Sequence, residues 1–303
     1  MSSLDTLAQQ FAMPELLSFT HSAEGGLVIE VDNDFATAAI SLSGGHLLRW
    51  QPKTQAEPVI WLSEAAKVQP GKSIRGGVPV CWPWFGAHST EADFPAHGYA
   101  RTAAWQVVET AALANGETEI ELALDESNHN GSLWPYTTPL SLRITVGQRL
   151  KMCLTTRNDS ADSVEISEAL HTYFQIGDIA SIKVEGLDAC QYLDKVDDFA
   201  QKTQAGAIGF VGETDRVYVD TAAECVIDDE QLQRRIHIAK HGSASTVVWS
   251  PWQDKAAAMG DLGEPEGWRR MVCVESANAA HNRVNIAPGG SHSLAVEYWV
   301  EDK

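Results

Sequence analysis

Apolar residues recur at every second position along most of the chain. Leu27, Ile29 and Val31 do so first, followed by Ile120, Leu122 and Leu124, and then by Leu140, Leu142, Ile144 and Val146. Val164, Ile166, Leu170 and Phe174 share one parity, Ile236 and Ile238 alternate with Arg235 and His237, and the chain closes on Leu294, Val296, Tyr298 and Val300. A period of two puts one set of side chains on one face of a strand. Repeated alternation, broken by Gly, Asn, Asp and Pro, predicts an all-β sandwich or barrel. Helical spacing is confined to residues 5–17, where Leu7, Phe11 and Leu16 sit among polar neighbours, and to short stretches at 64–67 and 254–259. No βαβ rhythm supports a doubly wound sheet. No Pro-rich, Gly/Ser-rich or single-charge block divides the chain, and no fixed-period repeat emerges. The expectation is one domain over residues 1–303, built as two large packed antiparallel sheets. Residues 1–24 form its helical lead-in, and residues 90–95 and 125–139 are excursions from sheet edges.

Composition narrows the partners. The 303 residues carry 22 Lys and Arg against 41 Asp and Glu, a net charge of −19 with His neutral. A basic surface is what grips nucleic acid or anionic lipid, so neither is expected as a partner. A small anionic substrate stays possible, because a local Arg pair acts inside the roughly 8 Å screening length of physiological salt. Five scattered cysteines, with no CxxC or Cys/His ligand spacing, suggest neither a disulfide framework nor a zinc site. The first residues, MSSLDTLAQQFAMPELL, lack a basic and then apolar leader, and no apolar run approaches membrane-spanning length. The reading is a cytoplasmic, soluble chain, with a monomer as the expected state.

Phosphate-loop, dinucleotide, nucleophile-elbow and HExxH signatures are absent. Candidate chemistry lies instead in short dense segments. RGGVPVCWPWFG, residues 75–86, places Arg75 among Gly, Pro and aromatic residues, a mix that no internal strand accommodates. HGYAR, residues 97–101, offers His97 and Arg101 as donors to substrate oxygens. Two Arg in neighbouring loops can clamp a phosphate, since the guanidinium fork matches its geometry. In EALHTYF, residues 168–174, alternation turns His171 away from Leu170 and Phe174, toward the face of Glu165, Ser167 and Tyr173. In MVCVESAN, residues 271–278, Glu275 shares a face with Met271 and Cys273, opposite Val272 and Val274. A carboxylate there is either an expensive buried charge or a working base. Asp215, in ETDRVY, opens another strand, where capping a turn is its ordinary use.

Taken in order, RGGVPVCWPWFG, HGYAR, ALHTYF, ETDRVY, VVWSPW, MVCVESAN and the PGGSHS turn before the last strand resemble the hexose-6-phosphate mutarotases (glucose-6-phosphate 1-epimerases) of the galactose-mutarotase-like superfamily. The resemblance runs from about residue 25 to the C-terminus. It implies a β-supersandwich with its site on the concave face, and interconversion of the α and β anomers of an aldohexose 6-phosphate, chiefly glucose 6-phosphate. By motif it implies His171 as general acid and Glu275 as general base. It makes Asp215 a sugar-hydroxyl ligand, Arg75 and Arg101 the phosphate ligands, and His97 a substrate contact. It implies no metal and no organic cofactor. The stretch SPWQDKAAAMGDLGEPEGWRR is looser than the family pattern and receives no catalytic role.

Anomer exchange needs a base for the O1 proton and an acid for the ring oxygen, which a His and a carboxylate supply. On this reading Glu275 is ionised at working pH while His171 keeps a proton. Trp82, Trp84, Phe85 and Trp252 are candidates to stack on sugar C–H faces. The main rival is a non-catalytic sugar-phosphate-binding module on the same fold. A glycoside hydrolase needs two carboxylates flanking the bond, for which Glu168 and Asp215 are the remaining candidates. No motif supports hydrolysis of an aldehyde or epoxide by a nucleophilic Ser or Cys.

Overall fold

The computed structural model describes residues 3–125, 131–263 and 266–303. Two eight-stranded antiparallel sheets dominate. One runs in the order Lys183–Glu185, Cys225–Asp229, Arg234–His241, Ser291–Asp302, Leu150–Arg157, Leu140–Val146, Thr118–Leu124 and Trp105–Ala112. The other, which carries the site, runs Ala200–Thr203, Gln191–Asp194, Thr214–Tyr218, Ser245–Ser250, Met271–Asn278, Glu168–Leu170 and Val80–Cys81, with Tyr173–Gln175 also paired to Met271–Asn278. A four-stranded sheet, Leu17–His21 through His46–Pro52, and a small pair of Val164–Ile166 with Val284–Ile286 complete the β-structure.

The period-two pattern is realised as burial. Ile120, Leu122, Leu142, Ile144, Leu294, Val296 and Tyr298 of the first sheet share a core cluster with Leu170, Phe174, Val248, Val272 and Val274 of the site sheet. Removing each such side chain from water contributes about 2 kcal/mol, so the alternation fixes which face of each strand turns inward. The opposite face of the site sheet carries a separate, smaller cluster that includes Cys81, Ala169, Val217, Val247 and Ala277. Asp215 and Glu275 share the parity of that outer set, on the same strands as Val217 and Ala277.

Two local expectations change and a third holds. The N-terminal helix covers Leu4–Phe11, not 5–17. Pro14 forbids continuation and biases Met13 toward extended backbone, so Leu17 starts a strand, Leu17–His21. Residues 64–67 form no helix; the Ser63 hydroxyl accepts from the Ala65 N–H at 3.1 Å and closes a turn instead. The third helix does form, at Trp252–Met259, and stops at Gly260 in the left-handed region (φ 70°). Of the excursion expected at 125–139, residues 126–130 lie outside the described residues. Among the described residues, no helix is long and apolar enough to cross a membrane.

Candidate functional site

Strand register assembles the floor of a cavity. Asp215 pairs with Trp249, Trp249 with Cys273, and Cys273 with Tyr173, so four outward side chains form one row across the sheet. One step along, Val217 pairs with Val247 and Val247 with Glu275. The segment holding His171 is not the continuous strand its alternation predicts. It divides into Val164–Ile166, Glu168–Leu170 and Tyr173–Gln175, because the first piece pairs with Val284–Ile286 and the others with Met271–Asn278. His171 sits in the second break, its backbone N–H donating to the Pro79 carbonyl at 3.0 Å. Parity survives, and His171 faces Glu275, with Nε2 3.2 Å from Oε1.

Two glycine-dependent loops bring in the remaining groups. Gly76 and Gly77 both have positive φ, and a Cβ on Gly77 would lie 2.4 Å from the Leu47 carbonyl oxygen, so only glycine lets this loop close beside Arg75. Gly98 is tighter still, since a Cβ there would come within 2.0 Å of the Trp82 carbonyl oxygen. His97 and Gly86 hold each other across that loop. The His97 N–H donates to the Gly86 carbonyl at 2.7 Å, and Nδ1 of the His97 ring accepts from the Gly86 N–H at 3.3 Å.

The six residues singled out by motif, Arg75, His97, Arg101, His171, Asp215 and Glu275, all line this one cavity of about 310 Å³. Its walls also include Phe85, Tyr173 and Trp249. Of the expected stacking residues, Phe85 is at the cavity and the others are not. Trp82 is fully buried and donates to Thr156 Oγ1, Trp84 is buried against Tyr99 and donates to the Pro95 carbonyl, and Trp252 packs on Trp268. Trp249, at 6.0 Å from the His171 ring, takes the wall position instead. Glu168 does not reach the cavity either; it is fully buried against His292 and Asn278.

Sequence reasoning missed Lys195, Lys255 and Asp261, all of which line the cavity. The last two come from the stretch judged too loose for a role. Among the described residues, each cavity cation but one is held by a carboxylate: Arg75 Nε by Asp261 at 3.0 Å, Lys195 by Asp215 at 2.8 Å and Lys255 by Glu213 at 2.6 Å. Arg101 donates instead to the Ala96 carbonyl at 2.6 Å. Arg75 Nη1 also donates to the Tyr173 hydroxyl at 2.8 Å, and the Tyr173 ring stacks on His171 at 5.0 Å. A chain of contact therefore links Arg75 to the imidazole.

Burial sets the ionisation of the central pair. The Glu275 carboxyl is pushed well above the usual range by burial and then by the neighbouring Asp215 charge, with Lys195 opposing. His171 is pushed well below its ordinary value by burial, then by His97, Arg101 and Arg75. Both shifts oppose the expected ionised Glu275 beside a protonated His171, because taking both groups from water penalises both charged forms. Moving one proton from Glu275 to His171 restores that ion pair with no change in total charge, so the two arrangements are tautomers of one pair. His97 is lowered to about 3 by burial, then by Arg101, Lys195 and Arg75. With Nδ1 accepting from Gly86, neutral His97 keeps its proton on Nε2 and is a donor there.

Two buried polar atoms in the pair, Nδ1 of His171 and Oε2 of Glu275, have no hydrogen-bond partner among the described residues. Such atoms are rare unless a ligand or water meets them. His171, Cys273 and Glu275 also bring three metal-ligand atoms within 4.8 Å of one another. Burial, then the Glu275 charge, pushes the Cys273 thiol well up, so it offers a protonated sulfur rather than the thiolate a metal prefers.

A family model described as aldose 1-epimerase matches residues 27–299. A relative from Escherichia coli K12, named "Putative glucose-6-phosphate 1-epimerase", is 36% identical over 257 residues, covering 84% of each chain. One of the same name from Cenchrus ciliaris is 34% identical over 265 residues, covering 83% of this chain and 78% of its own. Among solved structures, a "putative mutarotase" from Salmonella typhimurium superposes with a TM-score of 0.89 at 31% identity, covering 97% of this chain and 96% of that one. A galactose mutarotase-like protein from Lactobacillus casei shares the fold at 13% identity, with a TM-score of 0.69 over 90% of this chain and all of its own.

Proposed function

The chain belongs to the aldose 1-epimerase family, and from that premise we propose how its cavity works. The protein is an isomerase that interconverts the α and β anomers of aldohexose 6-phosphates, chiefly glucose 6-phosphate. The observation that carries the residue assignment is the 3.2 Å approach of His171 Nε2 to Glu275 Oε1 in a cavity that also presents Arg75 and Arg101. O1 and O5 of a pyranose share one carbon, so the acid and base that serve them must themselves be neighbours. Glycosidase carboxyl pairs stand about 5 Å or more apart, to flank a bond.

In the reaction Glu275, as carboxylate, takes the O1 proton while His171, as imidazolium, gives a proton to O5. The C1–O5 bond breaks and C1 becomes an aldehyde. Rotation about C1–C2 presents the other carbonyl face, and the steps reverse: O5 re-adds, His171 recovers its proton and Glu275 returns one to O1. The pair ends as it began, with no net proton change. His97 donates through Nε2, Asp215 accepts from a sugar hydroxyl, and both hold the ring by proximity rather than by bond chemistry. Arg101, which no carboxylate holds among the described residues, is the first ligand for the phosphate, and Arg75 the second. A volume near 310 Å³ lies at the small end of ligand sites and suits one sugar ring rather than an oligosaccharide.

Proton NMR exchange spectroscopy on equilibrated glucose 6-phosphate tests this directly, since the two anomeric signals report exchange without a coupling enzyme. Wild type accelerates exchange and Glu275→Gln does not. A Glu275→Gln variant as active as wild type would falsify the assignment of the base.

A further inference from the structure

Lys195 is aimed at the cavity by a turn built for the purpose. It opens the 3-10 helix Lys195–Asp197, in the hairpin that joins Gln191–Asp194 to Ala200–Thr203 at the edge of the site sheet. Asp194 fixes the turn twice, its Oδ1 accepting from the Val196 N–H at 3.2 Å and its carbonyl from the Phe199 N–H at 2.8 Å. Asp198 and Phe199 both adopt positive φ, 46° and 61°, which non-glycine residues do at a cost. Lys202 bridges Asp194 and Asp197, at 2.8 Å from each, and so occupies the two acids nearest Lys195 in sequence. Lys195 is left to reach across to Asp215, 2.8 Å away, in a contact where the Asp215 side chain is only 10% exposed.

Asp215 and Glu275 are two carboxyl groups on one face of the sheet, separated by the Val247 and Trp249 strand. Like-charged neighbours of this kind share a proton unless a cation intervenes. The groups facing them are His171 and His97 from the loops, Tyr173 from the adjoining strand, Cys273 from Glu275's own strand, Cys81 from the far edge and Lys195 from the hairpin. Arg75 and Arg101 line the same cavity and bear on His171, whereas Lys195 is the cation whose charge works against the upward push that Asp215 exerts on Glu275.

We propose that Lys195 is a positioning residue: its ion pair holds the Asp215 carboxylate in place as an acceptor for a sugar hydroxyl and sets a cation beside the Glu275 carboxyl that takes and returns the proton the reaction moves. The inference rests on Glu275 and Asp215 serving the substrate as described above.

The test compares wild type, Lys195→Met, Lys195→Arg and Glu275→Gln by anomer exchange on glucose 6-phosphate and on glucose across a pH series, with thermal unfolding of each. The substrate's own phosphate ionisation is common to all variants and cancels in their ratio. Lys195→Met is expected to lose roughly tenfold or more in kcat on both sugars. Its alkaline limb should move to higher pH, because removing a cation raises the pKa of Glu275. Lys195→Arg should restore both. If Lys195→Met raises KM for the phosphorylated sugar alone and leaves the limb in place, Lys195 is a phosphate ligand and the proposal falls. If it lowers only Tm, or leaves everything unchanged, the role is structural or nil and the proposal falls equally. Should Lys195→Met not fold, Lys195→Gln carries the same readout. Glu275→Gln separates the two levels: activity retained there removes the site assignment, whereas its loss beside a wild-type-like Lys195→Met removes only the inference about Lys195.

Discussion

Two His–Glu pairs are built around the same two neighbouring segments of the site sheet and are put to different uses. His171 and Glu275 approach to 3.2 Å, and His292 and Glu168 to 3.0 Å. Glu168 is three residues before His171, and Asn278, opposite Glu168 in register, is three after Glu275. Three residues in a strand reverse the face, so the first pair looks into the cavity and the second into the layer between the sheets. His292 comes from Ser291–Asp302 of the other large sheet, so the second pair ties one sheet to the other. The environments then diverge. Glu168 accepts from Asn278 Nδ2 at 3.0 Å, and His292 is raised, chiefly by its hydrogen bond to Glu168, so its protonated form is favoured. Glu275 has no such amide, His171 stands near Arg75 and Arg101, and the neutral tautomer is favoured. A contact that holds the proton on His292 serves to tie the layers together. Burial that works against both charges of the cavity pair leaves a proton to pass between them, which is what acid–base chemistry on a hemiacetal needs.

The comparison breaks most sharply under mutation of the two glutamates. Glu275→Gln should lower kcat/KM for anomer exchange by roughly 10²–10⁴-fold while leaving Tm unchanged or higher, since a desolvated acid is removed. Glu168→Gln should do the reverse. It strands the partly buried His292 and leaves Asn278 with a poorer acceptor, at an expected cost of roughly 1–3 kcal/mol, visible as a fall of several degrees in Tm, with activity per folded molecule kept within a few-fold. Calorimetry alongside NMR exchange reads both, and an inactive but fully stable Glu168→Gln would undo the division of labour.

The cations around the cavity offer a second, smaller contrast. Arg101→Ala should raise KM for glucose 6-phosphate roughly tenfold or more, by loss of a charge-assisted contact, and barely change exchange of free glucose. Arg75→Ala should raise KM as well and also lower kcat on both sugars, because Tyr173, which stacks on His171, loses the guanidinium at its hydroxyl. Identical kinetic signatures for the two variants would remove the distinction.

Much of this arrangement is legible in the sequence, for a definite reason. Period-two alternation sets the face of a side chain even across a break, so His171 and Glu275 could be placed on a non-core face from parity alone. The breaks themselves could not be seen, because partners more than a hundred residues away decide where Val164–Ile166 leaves one sheet and Glu168–Leu170 enters another. Lys195, Lys255 and Asp261 escaped because they project from a hairpin turn, a short helix and the loop after it, where no periodicity points. Trp249 was passed over in favour of Trp82 and Trp84, since composition marks where aromatics are dense but not which of them are sealed. The burial that opposes the expected charges of the central pair escaped for a related reason. The charge that a residue type ordinarily carries is visible in a sequence, but the depth at which it is buried is not.

The pH dependence of the two pairs sharpens the comparison with the smallest expected effect. For the cavity pair, the acid limb of kcat/KM belongs to uptake of a second proton and the alkaline limb to loss of the shared one. His171 is lowered from 6.5 and Glu275 raised from 4.5, so the plateau should extend below the ordinary His value and above the ordinary Glu value. For the inter-sheet pair the readout is stability. The folded-state pKa of His292 lies above the 6.5 of the unfolded chain, so the folded protein binds the proton more tightly. That stabilisation is complete below pH 6.5 and fades as pH rises through the folded value. The gap in unfolding free energy between wild type and His292→Gln should therefore be widest in mild acid and narrow on the alkaline side. The change stays below the Glu168→Gln loss, because His292 is partly open to solvent and its attraction is screened. A gap that instead widens with rising pH would mean that His292 is held neutral, like His171, and that burial rather than partnership governs both pairs.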